Sequence, residues 1–463
     1  MKIRQLLYNN FGAMSKKYFD VLFVMQKQRT FTLSEITKKC NVSFKMVTNL
    51  VNLFKDYFSV FNKIYKIDNS LINDINKESF PTYNKQELIN KYHSIVSNFK
   101  EDKSKLDHIS ATAETAIKRA LFIADNYDIE FCNIGLVGDH DFTSIALNLI
   151  NCNNHLYVFD IDNDILNFID LSLKNVVTTV YSDFRIGIPK HYNNTFDVVF
   201  TDPPYTTEGM ETFLAAAKSI CKHNENSSIL CAYACGDIVI KNGYNVQEAI
   251  IKQGLYIEQL LHKFNIYNYA ESLGYCSDLY VLRLTNIAYN GKNVPIWNIY
   301  THGELSLESA NTSTEKTLST MCKILTETNN QTKSTLLDKP LEIDNKYVIN
   351  LPQFLINMNQ TEIKITNIKN FNKASISLFF DVLVKEKDCI FKPNNNIYGL
   401  FVVHSHIKLE NFLIKKVSLI LNKTKNQLRE LIENNEFINK YKELYIGAIP
   451  YYNLIKIIDF LSL

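Results

Sequence analysis

The 463-residue chain has no run of 18 uninterrupted apolar residues, so no membrane-spanning helix is expected. Residues 1–17 contain no apolar stretch long enough for a secretory signal. The nine cysteines are scattered, none in a C-x-x-C pair, and an odd count argues against a complete disulfide framework. Cys231 and Cys235, across a strand and the turn after it, read as reduced core thiols rather than metal ligands. The dinucleotide fingerprint G-x-G-x-x-G is missing, which disfavours NAD. Charge of one sign is missing too: the net charge is +2, so the chain as a whole is neither a polyanion binder nor an acidic solvating protein. No internal repeat is evident. These absences together predict a cytoplasmic protein in reducing surroundings, without a membrane partner or a metal.

What remains is an ordinary globular composition, 46% hydrophobic and 21% charged, in a chain long enough for about two to four domains. Residues 1–70 read as a winged helix. Thr32-Leu-Ser-Glu35 is a capping box opening a helix that runs to about Cys40, and Ser43 caps a second helix with Val47, Leu50, Val51 and Phe54 on one face. Phe58 to Ile67 alternates around Asn62-Lys63, the pattern of a hairpin wing. This segment carries 12 Lys/Arg against 4 Asp/Glu. A basic helix-turn-helix suggests DNA, but the rest of the chain is enzymatic, and an assembly or lid role is the favoured reading. Residues 71–130 form a helical connector, with its strongest helix over Ala111–Ile123.

Residues 131–300 alternate strand and helix and predict a doubly wound, mainly parallel sheet with ligands at the strands' carboxyl ends. Residues 301–345 read as a partly helical linker, and 346–463 as an α/β unit of unknown role. In that unit Ser375–Val384 and Tyr398–His406 are candidate strands, and Leu409–Leu421 and Asn426–Tyr441 candidate helices. His404 and His406 share one face of an alternating strand and read as exposed rather than as a metal site.

Four acidic turns follow four predicted strands. In Gly138-Asp139-His140-Asp141 the glycine lets the backbone approach a ligand, the two carboxylates can surround a cation, and either Asp139 or Asp141 can instead cap the helix starting near Phe142. Asp160, about 20 residues on, is placed to accept the ribose hydroxyls of an adenosyl group, while Asp162 reads as an N-cap. Asp183, with Phe184 beside it, would lie next to the adenine amine. Asp202-Pro203-Pro204-Tyr205 follows an apolar strand directly. Consecutive prolines stiffen that loop. Its carboxylate and the carbonyls of Asp202 and Pro203 can then point at an amine nitrogen, with Tyr205 stacking on a base or covering a cation.

Asp-Pro-Pro-Tyr alone resembles methyltransferases acting on exocyclic amines of adenine or cytosine. The longer pattern is narrower. Thr112, Thr115 and Arg119, then Gly138-Asp-His-Asp-Phe-Thr-Ser-Ile-Ala-Leu147, Phe159-Asp-Ile-Asp162, Asp183-Phe-Arg185 and Thr201-Asp-Pro-Pro204 resemble the N4-bis(aminopropyl)spermidine synthases, the branched-chain polyamine synthase family, over about residues 1–290. The resemblance implies a Rossmann-like class I S-adenosylmethionine-dependent transferase sheet with an N-terminal winged helix; the C-terminal α/β extension has no recognised counterpart. In that family the motif reads Gly-Asp-Asp-Asp and its last Asp is the catalytic carboxylate, which matches Asp141 here. His140 replaces the middle Asp, with the loss of one negative charge.

The implied reaction is an SN2 attack by an amine on the carbon beside a sulfonium, with decarboxylated S-adenosylmethionine as co-substrate (the intact molecule is the alternative) and a polyamine or other small amine as acceptor. Of the catalytic residues, Asp141 is expected to hold the acceptor ammonium and take its proton, Asp202 and the Pro203 carbonyl to orient it, and Tyr205 to stand beside them. Gly138, Asp139, Asp160, Asp183 and Phe184 are expected on the donor, and His140, Tyr205 and Glu208 on the acceptor. A homodimer is expected. Two other readings stay open: a nucleic-acid N-methyltransferase, which the phosphate-repelling Asp139 and Asp141 disfavour, and a winged-helix regulator with an inactive transferase domain, which the intact acidic loops disfavour.

Overall fold

The computed structural model describes residues 2–99 and 110–285, apart from 153–154, 175, 185–186, 189–191, 235–239 and 269–274. Of the C-terminal part it describes 341–344, 359–366, 389–392, 396–402, 408–414 and 423–460, apart from 445, 451–452, 455 and 458–459.

The N-terminal elements are α1 (Ile3–Phe11), α2 (Ser15–Gln28), β1 (Thr30–Phe31), α3 (Leu33–Cys40), α4 (Phe44–Leu53), β2 (Phe58–Phe61), β3 (Ile64–Ile67) and α5 (Asn69–Asn76). The capping box forms as expected: the Glu35 amide donates to Thr32 Oγ1 at 3.3 Å and the Thr32 amide to Glu35 Oε2 at 2.7 Å. Asn41, left-handed at φ 52, ends α3, and Ser43 Oγ accepts the Met46 amide to start α4. Asn62 and Lys63 both take positive φ, which lets a two-residue turn join β2 to β3. The strands order as β1-β3-β2. Val47, Leu50 and Phe54 pack with Leu22, Met25 and Ile36 in a core of their own, which also takes Leu71, Ile72 and Ile75 of α5.

Two further helices, α6 (Lys85–Val96) and α7 (Ala113–Asn126), lead into the central sheet. Its strands are β4 (Ile134–Val137), β5 (Leu156–Asp160), β6 (Thr178–Tyr181), β7 (Val198–Thr201), β8 (Ser228–Tyr233), β9 (Leu255–Ile266) and β10 (Cys276–Leu284). They order as β6-β5-β4-β7-β8-β10-β9. The five from β6 to β8 are parallel, and β10 and β9 are antiparallel additions at one end. The interleaved helices are α8 (Thr143–Leu149), α9 (Asn163–Ser172), α10 (Thr207–Ile220) and α11 (Ile240–Lys252). This is the doubly wound Rossmann-like sheet that the sequence pattern predicts. Cys231 is buried in β8 with its thiol donating to Met210 Sδ at 3.6 Å; Cys235 lies outside the described residues. No described helix is long and apolar enough to cross a membrane.

The described residues between β6 and β7 contain no α-helix. The face left uncovered there is filled by the C-terminal part: Phe412, Leu413, Leu428, Ile432, Ile438, Leu454 and Ile457 share one core with Phe159, Val180, Phe184, Tyr192 and Phe196. These residues lie on or near α12 (Leu409–Phe412), α13 (Lys425–Asn434) and α14 (Glu436–Tyr441). The single helix expected over Asn426–Tyr441 is two, because Asn435 leaves helical geometry and its side chain accepts the Ile438 amide to cap the second. A buried polar cluster fastens this part to the sheet. Asp170 Oδ2 accepts from Thr179 Oγ1 at 2.7 Å, Asn453 Nδ2 at 2.7 Å and the Tyr441 hydroxyl at 3.3 Å. Burial lowers the Lys440 ammonium to about 8, against the pull of nearby Asp170.

Elsewhere in the C-terminal part, β11 (Leu341–Asp344), β12 (Asn359–Thr366), β13 (Cys389–Lys392) and β14 (Asn396–Val402) form a four-stranded sheet in the order β11-β12-β14-β13. The expected strand over Tyr398–His406 thus begins at Asn396 and is described to Val402. The expected strand Ser375–Val384, the pair His404 and His406, and the linker to residue 340 lie outside the described residues.

Candidate active site

Parallel strands deliver their following turns to one edge of a sheet. Here that edge carries Asp183 after β6, Asp160 ending β5, Asp139 and Asp141 after β4, and Asp202 after β7, in spatial order. The β4 turn needs its glycine for conformation and for packing: Gly138 has φ +74, and a Cβ there would sit 3.1 Å from the Phe213 ring. Phe142 is also left-handed, at φ 49, and the Tyr92 hydroxyl pins the turn by donating to the Asp141 carbonyl at 2.6 Å.

The two acids of this turn separate. Asp139, three residues before the cap position Phe142, accepts the Ser144 amide of the first turn of α8 at 3.2–3.3 Å on its two oxygens. Burial pushes its carboxyl well above the usual range. Asp160 accepts the Asp139 amide on Oδ2 and the Asp162 amide on Oδ1, each at 2.9 Å. Burial raises Asp160 to about 6, with those two amides opposing. Asp162 is the N-cap of α9, bound to the Asp164 amide. Asp183 and Phe184 stand one strand further along, Phe184 edge-on to Phe213 with ring centres 4.8 Å apart.

Asp141 turns inward to a buried arginine. Arg119 of α7 is 1% exposed. Its Nη1 donates to Asp141 Oδ2 at 2.8 Å and its Nη2 to Asp202 Oδ2 at 2.6 Å, while Nε donates to Asn265 Oδ1 at 2.8 Å. Asp141 Oδ1 accepts the Ala111 amide at 2.6 Å. The Tyr267 hydroxyl donates to Asp202 Oδ2 at 2.8 Å and lies 2.9 Å from Ser277 Oγ, which also accepts from Asn265 Nδ2. Burial acts to lower the Arg119 guanidinium, but Asp202 and Asp141 outweigh it and push it up, so it stays charged. Burial acts to raise Asp141, but Arg119 and the Ala111 amide hold it below the usual range. Asp202 differs: burial, with the Asp141 charge beside it, raises it to about 7 despite Arg119. Two carboxylates sharing one guanidinium cannot both be fully compensated.

Of the remaining sequence candidates, Pro203 is buried in the stiff loop, and Tyr205 sets its ring edge-on to Tyr233 and Tyr267 at 5.5 and 6.2 Å. Burial raises the Tyr205 phenol. His140 is half-buried with Nε2 3.2 Å from Ser110 Oγ, and Glu208 stands half-buried in the first turn of α10. Sequence reasoning missed the part played by Arg119, Tyr267, Asn265 and Ser277. One signal was available: Arg119 shares a helical face with Thr112, Thr115 and Ile123, where a charge must find buried partners. Among the described residues no group of three or more His, Cys, Asp or Glu is arranged to hold a metal ion.

A cleft of about 450 Å³ lies at the opposite ends of the strands, lined by Arg4, Lys16, Phe80, Tyr83, Tyr127 and Glu130 among others. Its arginine is already paired with Asp128 and Glu130.

An N(4)-bis(aminopropyl)spermidine synthase of Methanocaldococcus jannaschii is 32% identical over 177 residues, covering 36% of this chain and 50% of that protein. An uncharacterized protein of the same organism is 32% identical over 194 residues, covering 41% of this chain and 47% of its own. The chain thus spans about half the length of these curated relatives. The crystal structure of the Thermus thermophilus branched-chain polyamine synthase with N4-aminopropylspermidine and 5'-methylthioadenosine aligns with 64% of this chain and 93% of its own, at 17% identity and a TM-score of 0.42. The family model of the branched-chain polyamine synthase A C-terminal domain matches residues 87–321, more than half of the sequence, and the chain belongs to that family.

Proposed function

We propose that the protein is an aminopropyltransferase that moves an aminopropyl group from decarboxylated S-adenosylmethionine to a polyamine or related amine. The observation that carries this reading is the charge balance at the strand edge. Asp139, Asp141, Asp160 and Asp202 gather at that edge, with Asp141 and Asp202 sharing the one Arg119 guanidinium, and burial has raised three of the four carboxyls. An edge short of positive charge suits ammonium groups and repels phosphate. The family and the name of the Methanocaldococcus relative support the same chemistry.

In the proposed step the neutral acceptor nitrogen bonds to the aminopropyl carbon on the sulfonium. The C–S bond breaks and its electron pair stays on sulfur, so 5'-methylthioadenosine leaves as a neutral thioether. The ammonium's proton must pass to a carboxylate, because free alkylamines are protonated near neutrality. Asp141 has donors on both oxygens and is held ionised, which suits a fixed anion that binds and aims the acceptor. Asp202, raised to about 7, suits the proton acceptor. Asp160 is assigned to the ribose, Asp183 and Phe184 to the adenine, and Gly138 and Asp139 to the sulfonium and the aminopropyl ammonium. His140, Pro203, Tyr205 and Glu208 are assigned to the acceptor side.

The N-terminal unit is read as a winged helix, from its capped helix pair and hairpin, and is taken to extend through α5. Residues 131–300 are read as the transferase unit, a reading supported by the sheet from β4 to β10 and by the core that it shares with the helices of the C-terminal part. A homodimer is supported by β9, a 12-residue edge strand exposing Tyr256, Leu260 and Ile266.

Mass spectrometry of the purified protein incubated separately with decarboxylated and intact S-adenosylmethionine, each with mixed polyamines, tests the reading. An aminopropylated amine and 5'-methylthioadenosine from the decarboxylated donor alone are expected. Methyl transfer from the intact donor, or no transfer from either, overturns it.

A further inference from the structure

We propose that the N-terminal unit binds duplex DNA through the outer face of α4 and the β2–β3 hairpin, on a surface separate from the transferase site. The inner face of α4 is spent on the core, with Met46, Val47, Leu50 and Val51 all buried. Lys45, Thr48, Asn49 and Asn52 follow at helical spacing on the other side, Lys45 and Asn52 exposed and Thr48 and Asn49 half-buried. Side-chain amides and hydroxyls on an exposed helix are what base edges in a major groove accept, and an Asn can bond an adenine through both its amide atoms. Thr48 Oγ1 spends its proton on the Phe44 carbonyl at 2.9 Å and so offers its lone pairs outward.

Charge points to the same partner. Residues 29–67 carry seven basic residues and two acids. Arg29, Lys38, Lys39, Lys45, Lys55, Lys63 and Lys66 are all exposed, and none is in an ion pair with another described residue. Of the two acids, Glu35 is turned back on its own helix in the capping box. The whole chain is nearly neutral, so this is a local excess, of the kind that takes up phosphates by counterion release. The hairpin adds Lys63 at its turn. Beside that lysine Phe61 is 78% exposed, with Val60 and Ile64 at 55% and 48%, an apolar tip that has no use in water and can lie against sugar and base edges in the minor groove. A helix enters the wide major groove of B-form DNA but not the deep, narrow one of A-form RNA, which commits the proposal to DNA.

The anchoring of the unit separates this surface from catalysis. Arg4 of α1 pairs with Asp128, and the Tyr8 hydroxyl donates to Asp197 at 2.8 Å. Asp128 and Asp197 precede β4 and β7, at the amino ends of strands whose carboxyl ends carry Asp141 and Asp202. A duplex held by α4 is therefore not fed to Asp202. It would tether or regulate the enzyme and is not its substrate.

Fluorescence anisotropy with the full chain and a labelled mixed-sequence DNA duplex of about 30 base pairs, about three helical turns, tests this across a salt series. Binding that weakens linearly in log–log form with salt is expected, and Lys45→Ala with Lys63→Ala should reduce the slope by about 2. Those variants should keep wild-type melting temperature and aminopropyl transfer, and Asp141→Asn should bind DNA as the wild type does. No binding at about 50 mM salt, an unchanged slope in the double variant, tighter binding of duplex RNA, or capture of a protein partner in place of DNA would each overturn the proposal. A failure here leaves the transferase reading untouched, because aminopropyl transfer is scored separately.

Discussion

Asp141 and Asp202 divide the terminal nitrogens of Arg119 between them: Nη1 donates to Asp141 Oδ2 at 2.8 Å and Nη2 to Asp202 Oδ2 at 2.6 Å. The pair is unequal. Asp141 has a second donor, the Ala111 amide, on its other oxygen, while both donors to Asp202 converge on Oδ2. One arginine thus holds one carboxylate ionised and leaves the other receptive to a proton, a division suited to binding an ammonium and then deprotonating it.

Substitution should separate the two acids. Asp141→Asn and Asp202→Asn should each lower turnover per folded molecule about 10²–10⁴-fold, the scale of a positioned acid–base group. Asp141→Asn should also cost about 1–3 kcal/mol of stability, because it weakens a buried charged bond to Arg119. Melting temperature and turnover measured on one preparation of each variant check this. A stable and fully active Asp141→Asn enzyme would remove the centre of the mechanism.

The pH profile follows from Asp202, raised to about 7 chiefly by burial. A base works in its deprotonated form, so kcat/KM should rise with pH through about 7 and then level on the acid-side limb. A bound acceptor ammonium stabilises the carboxylate, so the corresponding limb in kcat should lie at lower pH. Steady-state rates from about pH 5 to about pH 9 check both limbs. Asp202→Asn should abolish the kcat/KM limb; its survival in that variant would assign it elsewhere.

Donor affinity should depend on Asp160 far more than on Asp162. Asp160 ends β5 and takes the Asp139 amide of the turn after β4 on Oδ2 and the Asp162 amide on Oδ1, whereas the Asp162 side chain is occupied as the cap of α9. Calorimetry should find Asp160→Ala weakening decarboxylated S-adenosylmethionine by about tenfold or more, the cost of about one charged hydrogen bond. Asp162→Ala should mainly lower stability, by about 1 kcal/mol. The reverse order would refute the ribose assignment.

Asp170 should behave as a structural anchor of the C-terminal part. Asp170→Ala removes the acceptor shared by Thr179, Tyr441 and Asn453 and leaves those donors buried. A loss of about 3–5 kcal/mol is expected by denaturant unfolding, as for breaking a buried ionic contact. Limited proteolysis should then cut within residues 408–460 first. An unchanged unfolding midpoint would mean that this part does not depend on the cluster.

Local features were legible in one dimension. The Thr32 and Ser43 caps, the Asn62-Lys63 turn and the apolar strands β4, β5 and β7 are set by residues within a few positions of each other, through caps, φ preferences and side-chain period. The row of acids was legible as well, because a turn directly after a parallel strand has one edge of the sheet to occupy. Which acid meets which partner was not. Asp139 and Asp141 are two residues apart and by position either could cap the next helix, yet one accepts an amide of the first turn of α8 and the other pairs with Arg119 on α7. That choice rests on Arg119 of α7 being brought against Asn265 and Tyr267 at the end of β9 in a buried site, where an uncompensated charge is costly and every donor needs an acceptor. The use of the C-terminal helices to cover the sheet beside β6 was likewise decided in three dimensions, because a bare apolar face must be buried by whatever part of the chain can reach it.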